Sequence, residues 1–541
     1  MKHSAVIYVH GVGNPERHVS LSQFIDHIDH FGEYQARDDL GKARTFETKL
    51  ERLENEIIHY VDFHRVVYTG KRPKAKQRIR VYEAYWAPES QVRFGLMDII
   101  QWIIARLMTP LKILFSSWRS YSSFRVNELH TFSLSTSHPG RIEKLEGFYR
   151  DFQHKGSRKN YPKGRFKDFL SFLAEVSHPR DKANLHDTAT DWRKFVRRKN
   201  AATFVTLLAI LMIYIWIVVL TLLCAKLLIN DLQEPSSDIP SLCKHAIGTL
   251  VGAVVFVQSL VAIRRYLFDV MAWTLSSERD RRFRARRNIV QFTQGLIRHV
   301  VSNDECTDCI IVGHSLGTSI AIESLLKEGE SAKLDKDQPY IEQLSKVRTF
   351  YAVGSPIDLI FNMFQSNRIF SHRFNRIRED TRLSVGLPPF HLGARPGNTE
   401  FVNFWSPFDP ISSVISSIRK RFSERNDAII NVKSLPPGFP FPVQAHTSYF
   451  GDPMVIGSIY NDVMGGSRSL VPRVAEPPRW FGPPLNLTFF VILLAFLTMG
   501  LLSARLIWSA LGVVLLSVLW AVLRSRVARA YQASVGSYLK P

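Results

Sequence analysis

Ser315 is the residue whose neighbours best suit it to act as a nucleophile. It is the central residue of the run Gly-His-Ser-Leu-Gly at 313–317. An apolar stretch, 310–312, precedes this run, and a helix-like stretch, 318–326, follows it. A tight turn between a strand and a helix needs glycine at both flanks, because a side chain there collides with the neighbouring strand or helix. The pattern therefore predicts a nucleophile elbow that holds the serine hydroxyl above a sheet edge.

A serine hydroxyl needs a base, usually histidine, and the histidine needs a carboxylate that fixes its tautomer and stabilises its charge. After an elbow, the acid and the base follow the serine along the chain. His446 is the candidate base, on a loop after the last predicted strand and before a helix predicted over 453–464. Asp409 is the candidate acid, in a turn past the strand predicted at 400–405. Asp358, after the preceding strand, is the alternative acid.

The start of the chain offers a place for the oxyanion of an acyl-transfer reaction. A short apolar strand, 5–9, leads directly into His10-Gly11. A turn of this kind at a strand end presents preorganised N–H donors, which an oxyanion requires. The backbone N–H groups of Val12 and Leu316 are the candidate donors. An ordinary strand-to-loop turn is the alternative interpretation.

The elements that must position these residues alternate between strands and helices. Past a strand at 78–86, an amphipathic helix at 288–301 leads into the elbow strand. The elbow helix is followed by further strands at 347–353 and 400–405, the His446 loop and the last helix. This order predicts an α/β fold with a mostly parallel, doubly wound sheet.

These motifs, in the chain order Ser, Asp, His, resemble the α/β-hydrolase superfamily, specifically its lipase-like and esterase-like branches. The resemblance covers about residues 1–90 and 285–470. It implies a mostly parallel sheet of about eight strands, a Ser-His-Asp triad and an oxyanion hole formed by Val12 and Leu316. It does not fix a substrate.

The chain has 70 Lys and Arg against 48 Asp and Glu, a formal charge of +22, which calls for a polyanionic or a membrane partner. Residues 201–223 contain no charge and are long enough to cross a bilayer as a helix. With a second run at 246–263 they predict a transmembrane hairpin. Basic clusters on both outer flanks place those flanks in the cytoplasm, and no nucleic-acid partner is predicted.

A second apolar region, 487–523, consists of two runs separated by Arg505. It predicts another hairpin, and one long kinked helix is the alternative. The first residues do not form a signal peptide. Cys306 and Cys309 have Cys-x-x-Cys spacing, but neither a second pair nor a His cluster completes a zinc set, so no metal or other cofactor is expected.

The sequence thus predicts a multi-pass membrane-anchored serine hydrolase whose catalytic domain faces the cytoplasm. Its expected substrate is a carboxylic ester or thioester, with a lipid favoured. A non-enzymatic membrane scaffold that keeps the hydrolase fold is the alternative, and no oligomeric state is predicted. The expected segments are the oxyanion part of the hydrolase domain (1–90), a cap or interfacial helical region (91–200), the first hairpin (201–263), the catalytic part (264–470), a Pro-rich linker (471–486), the second hairpin (487–523) and a basic tail (524–541).

Overall fold

The computed structural model divides the chain into two compact units, one comprising residues 1–91, 284–361 and 371–541 and the other 92–283 and 362–370. The residues that the structure describes are 2–12, 17–35, 45–53, 56–69, 72–90, 281–335 and 337–360, Trp273, and parts of 141–197, 388–415, 429–463 and 515–526.

The first unit contains an eight-stranded sheet with the spatial order β2-β3-β4-β1-β5-β6-β7-β8. The strands from β4 across to β8 pair in parallel, whereas β2 and β3 are antiparallel to their neighbours. The fold class is therefore α/β with a mostly parallel sheet. The strands are β1 (His3–Val9), β2 (Thr45–Leu53), β3 (Glu56–Thr69), β4 (Arg72–Ala84), β5 (Cys306–His314), β6 (Val347–Val353), β7 (Glu400–Trp405) and β8 (Ile430–Lys433).

The helices with described bounds connect or follow these strands. The strand predicted at 78–86 corresponds to β4, which begins earlier, at Arg72, and ends earlier, at Ala84. The helices are α1 (Val19–Gln35), α2 (Phe166–Val176), α3 (Arg281–Ser302), α4 (Leu316–Leu334), α5 (Gln338–Leu344), α6 (Ile357–Ile360), α7 (Pro442–Thr447) and α8 (Pro453–Val463).

The central strands are apolar because they are covered by other elements. All seven residues of β1 are buried. Alternate residues of β1, such as Val6 and Tyr8, belong to a core that also includes Phe24 of α1 and Ile459 of α8. Helix α4 packs against β1, β5 and β6. Continuous burial of this kind is typical of parallel strands, which lie in the interior of α/β proteins.

Ion pairs connect the helix that follows the elbow to its neighbours. Arg286 on α3 donates to Glu323 on α4 at 2.7 Å, and both side chains are buried. Glu328, also on α4, accepts from the exposed Arg298 on α3 at 3.1 Å and from the hydroxyl of Tyr340 on α5. Breaking one side of a buried pair such as Arg286–Glu323 costs several kcal/mol, about 3–5. These contacts therefore resist movement of α4 relative to α3 and α5.

The second unit has its own aromatic core. Tyr149 packs edge-on against Phe169 and Trp192, each with ring centroids 5.2 Å apart. Phe166, Phe169, Phe172 and Leu173 of α2 are buried in the same cluster. Edge-to-face packing at this distance is favourable for aromatic rings. The described residues of 91–200 include α2, and the assignment of this region as a cap or interfacial helical region stays a prediction.

Within the part of the chain that the structure describes, no helix has the length and apolar character needed to cross a membrane. The predicted spans at 201–223 and 246–263 lie outside the described residues, as do the linker at 471–486 and most of 487–523. Both transmembrane hairpins therefore stay predictions.

Candidate active site

Ser315 occupies the sharp turn between β5 and α4, with φ 52° and ψ −126°. A positive φ is unfavourable for a residue with a side chain, and such strain concentrates at functional sites. The two flanking glycines explain how the turn fits. A Cβ at Gly313 would lie 2.7 Å from the Cα of Thr318, and one at Gly317 would lie 2.2 Å from the carbonyl oxygen of Val9. The collisions expected from the sequence are therefore present.

Hydrogen bonds hold the strained turn closed. The Ser315 N–H donates to the carbonyl oxygen of Val353 on β6 at 2.9 Å. Thr318 donates to the Ser315 carbonyl oxygen through its N–H at 3.0 Å and its hydroxyl at 2.7 Å. The Thr318 hydroxyl also lies 2.8 Å from the Ser355 hydroxyl, beyond the end of β6. Contacts on both sides of Ser315 thus fix its backbone.

The three predicted catalytic side chains form one hydrogen-bonded chain. Nε2 of His446 lies 2.7 Å from Oγ of Ser315, and Nδ1 of His446 lies 2.8 Å from Oδ2 of Asp409. All three side chains are buried. With Asp409 ionised, Nδ1 carries the imidazole proton, so Nε2 accepts the serine hydroxyl proton. This is the arrangement required to activate a serine.

Three donors hold the charge of Asp409. Its Oδ1 accepts the Ile411 N–H at 2.8 Å, and its Oδ2 accepts both from His446 and from the Tyr449 hydroxyl, the latter at 3.0 Å. Burial alone raises the pKa of a carboxyl group, but the charge and hydrogen bond of His446, with the other two donors, outweigh it. The pKa of Asp409 therefore lies below its ordinary value, which keeps the carboxylate ionised.

His446 was predicted on a loop, and this prediction is wrong in its local detail. The residue lies in the last turn of α7, a six-residue helix that follows β8. His314 supports its position, because Nε2 of His314 lies 3.1 Å from the His446 carbonyl oxygen and the two rings stack at 5.5 Å. Burial and the nearby His446 lower the pKa of His314 to about 4, so His314 is neutral at pH 7.

The alternative acid, Asp358, lies in α6 directly after β6, and its side chain is outside the described residues. Asp409, past the end of β7, is the carboxylate that contacts His446. Both aspartates follow neighbouring parallel strands, which is why the sequence left two candidates.

The loop proposed for the oxyanion lies beside the serine. A Cβ at Gly11 would lie 2.8 Å from the Cβ of Ser315, so only glycine allows the backbone this close. Val12 follows Gly11, and Leu316 is the first residue of α4, where helix N–H groups have no intrahelical acceptor. The ring of His10 stacks on Trp86 at 4.8 Å. Trp86 also donates to the His10 carbonyl oxygen at 3.0 Å, which fixes the loop from β4.

The sequence analysis missed Tyr449, which contacts Asp409, and Ser412, whose hydroxyl lies 2.8 Å from that of Tyr449. The tyrosine follows His446 by three residues, but α7 ends at Thr447 and Tyr449 begins a separate turn, so the spacing gives no signal. Ser412 follows Asp409 by the same number of residues, but in a turn, where spacing does not predict direction.

Cys306 and Cys309 both lie in β5 as free, buried thiols. Burial raises the pKa of Cys306 to about 11 and that of Cys309 further, so neither is a thiolate at pH 7. Among the described residues, no group of three or more His, Cys, Asp or Glu side chains is arranged to hold a metal ion.

Comparisons of the chain with family models, with curated proteins and with solved structures found no match. The geometry of the site is therefore the basis for inferring its chemistry.

Proposed function

We propose that this protein is a serine hydrolase that cleaves a carboxylic ester or thioester through an acyl-enzyme. The observation that carries this proposal is the continuous contact from Asp409 through His446 to Ser315, with Ser315 on a strained turn. A protein that used the fold only as a scaffold would have no need for this strain, which costs about 1–3 kcal/mol.

In the first half of the reaction, Oγ of Ser315 attacks the substrate carbonyl carbon while Nε2 of His446 takes the hydroxyl proton. The carbonyl electron pair moves onto oxygen, and the N–H groups of Val12 and Leu316 are the proposed donors to it. When the tetrahedral intermediate collapses, His446 returns the proton to the leaving alcohol or thiol, and an acyl-Ser315 ester remains. Asp409 stays ionised and stabilises the imidazolium.

In the second half, water replaces the alcohol. His446 takes a proton from water, whose oxygen attacks the acyl carbon, and the second collapse breaks the bond to Oγ. The same histidine then returns the proton to Ser315, and a carboxylic acid leaves. No cofactor is needed, because each proton and electron pair is accounted for by substrate, water and the three side chains.

We further propose that the first unit is an α/β-hydrolase domain. Support comes from the eight-stranded, mostly parallel sheet, with Ser315 after β5, Asp409 after β7 and His446 after β8. In such domains the nucleophile, acid and histidine come in this order along the chain.

The proposed substrate is a lipid, and the proposed location is a membrane with the catalytic domain in the cytoplasm. The support is in the sequence: the apolar runs at 201–223, 246–263 and 487–523, with basic residues at their outer flanks. Tethering raises the effective concentration of acyl groups held in the same membrane.

The test is covalent labelling of the full-length protein with a fluorophosphonate probe. We expect stoichiometric labelling of Ser315 and none in Ser315→Ala. Ser319→Ala is the matched control, because Ser319 lies one turn along the same helix and is also buried. It should label at the wild-type rate. Equal labelling of Ser315→Ala and wild type would overturn the proposal.

A panel of matched acyl esters and thioesters, presented in water and in vesicles, then defines the substrate. Preference for vesicle-borne acyl groups would support the lipid proposal. Faster cleavage of short soluble esters than of any vesicle-borne ester would contradict it while leaving the serine mechanism intact.

A further inference from the structure

We propose that Tyr449 is a positioning residue for the acid of the triad, holding the Asp409 carboxylate in the orientation that His446 requires through a directed chain of hydrogen bonds. The inference rests on the proposed function, since it assigns a role within that site. Tyr449 touches neither the serine nor the histidine by hydrogen bond, so it would act only through Asp409.

The direction of the chain follows from counting protons. A tyrosine hydroxyl has one proton, and an ionised carboxylate can only accept. Tyr449 therefore donates to Oδ2 of Asp409 at 3.0 Å. The bond of 2.8 Å between the Tyr449 and Ser412 hydroxyls must then run from Ser412 to Tyr449. Ser412 in turn accepts the Ser406 N–H at 3.3 Å.

The tyrosine ring is held in place independently of the hydroxyl. Tyr449 is 0% exposed and belongs to the core that includes Tyr8 and Phe404. A Cβ at Gly354 would lie 2.8 Å from its Cε2 atom, so the ring lies directly against that backbone. Removing only the hydroxyl would therefore leave the ring packed, and Tyr449→Phe isolates the hydrogen bond.

The two oxygens of Asp409 have different partners, and together these partners fix the orientation of the carboxylate. Oδ1 is held by the Ile411 N–H, while Oδ2 receives His446 and Tyr449 together. Without the tyrosine, Oδ2 keeps one donor fewer and the carboxylate has more freedom to turn. Its negative charge is then stabilised by the Ile411 N–H and His446 without the third donor, which favours the imidazolium.

Because loss of the Tyr449 hydroxyl favours the imidazolium form of His446, it should change the pH dependence of activity. The base must be neutral to accept the serine proton, so a variant that favours the imidazolium loses activity at a higher pH than wild type. Other titratable groups face the pair as well. His314, at the end of β5, stacks on His446, and His10 influences His314 from the end of β1. Burial keeps the pKa values of both near 4, so they remain neutral over the range of interest.

The experiment measures kcat, KM and the pH dependence of fluorophosphonate labelling for wild type, Tyr449→Phe and Ser412→Ala. Tyr351→Phe is the matched control, because its hydroxyl also bonds a buried carboxylate, that of Asp462 at 3.1 Å, away from the triad. In Tyr449→Phe we expect kcat to fall about 10-fold with KM unchanged. The acidic midpoint of labelling should rise by roughly 0.5 to 1 pH unit. Ser412→Ala should show a smaller change in the same direction, and Tyr351→Phe none.

A second measurement does not need turnover. The His446 imidazole resonance, assigned by its loss in His446→Gln, is followed by NMR against pH in the same proteins. A higher titration midpoint in Tyr449→Phe than in Tyr351→Phe supports the role of Tyr449. Equal midpoints overturn it, even if the wild type fails to label and the proposed function is wrong. Labelling of wild type with identical pH profiles in both tyrosine variants overturns the positioning role alone.

Discussion

Two aspartates buried in the first unit each receive a hydrogen bond from a tyrosine hydroxyl, yet their pKa values are shifted in opposite directions. Asp409, past the end of β7, accepts from Tyr449 at 3.0 Å. Asp462, near the end of α8, accepts from Tyr351 on β6 at 3.1 Å. The pKa of Asp409 is lowered and that of Asp462 is raised, with burial opposing the charge in both.

The difference lies in the other partners. Asp409 also receives a main-chain N–H and the imidazole of His446, which is itself buried. Asp462 receives the Thr349 hydroxyl at 2.7 Å and faces Arg348 at 3.1 Å, but the Arg348 side chain is 41% exposed. A partly exposed cation is screened by water and stabilises a buried charge less. A hydrogen bond from a tyrosine therefore does not by itself lower the pKa of a buried carboxylate.

The largest expected effect is the difference in kcat between the variants Asp409→Asn and Asp462→Asn. The amide that replaces the Asp409 carboxylate cannot accept the Nδ1 proton as the carboxylate does, so it favours the wrong tautomer of His446. We expect kcat to fall about 10⁴-fold. Asp462→Asn should leave kcat within about twofold, since the contacts described for Asp462, with Thr349, Tyr351 and Arg348, do not include a residue of the proposed triad. Turnover of an activated ester measures both.

Asp358→Asn completes this comparison, because Asp358 was the alternative acid. It should retain at least about a tenth of wild-type activity, a small loss on the scale of a triad member. A loss in Asp358→Asn that exceeds the loss in Asp409→Asn would assign the acid role to Asp358 and contradict the geometry described for His446.

The second prediction concerns folding stability, which should depend on the contacts of Asp462 while the labelling of Ser315 does not. Asp462→Ala removes one acceptor from two buried hydroxyls, on Thr349 and on Tyr351, which also donates to the Ser458 carbonyl oxygen at 3.3 Å. Loss of a partner for buried polar groups costs about 1–3 kcal/mol for each group. We expect the melting temperature of the full-length protein to fall by roughly 5 to 10 °C, while the labelling rate of folded protein at 25 °C stays unchanged. A parallel loss of labelling would show that the two regions are coupled.

The turn at Ser315 was predictable from the sequence because its requirements are local. Glycines two residues either side of Ser315, an apolar strand before it and a helix after it are all adjacent in the chain. The parallel strands β1, β5, β6 and β7 were predictable for a related reason: strands covered on both faces are continuous apolar runs. These features allowed the α/β class and the three candidate side chains of the proposed triad to be chosen together.

The remaining features depend on contacts between distant residues or on very short elements. Strand β8 has four residues and α7 has six, too few for periodicity to detect. Strand β2 has four charged residues among its nine, which hides its strand pattern. Tyr449 meets Asp409 across 40 residues of chain, and no local pattern encodes that contact.

The smallest expected effect is the pH dependence of folding stability, which should have opposite signs for Asp409 and Asp462. A carboxyl group with a lowered pKa in the folded state stabilises the protein above its ordinary pKa, and this is lost as pH falls through the folded value. A raised pKa, as at Asp462, means that the charge costs stability at neutral pH, and the cost disappears on acidification.

Melting temperatures of wild type, Asp409→Asn and Asp462→Asn measured from pH 7 downward separate the signs, because the titrations of groups that do not contact the replaced residue are common to all three proteins and cancel. Relative to Asp462→Asn, wild type should gain stability as the pH falls toward about 4. Relative to Asp409→Asn, wild type should lose stability, chiefly below about pH 4, since the pKa of Asp409 lies under its ordinary value. Slopes of the same sign for both pairs would mean that the donors around Asp409 do not overcome its burial, and that the acid of the proposed triad is held no differently from a structural aspartate.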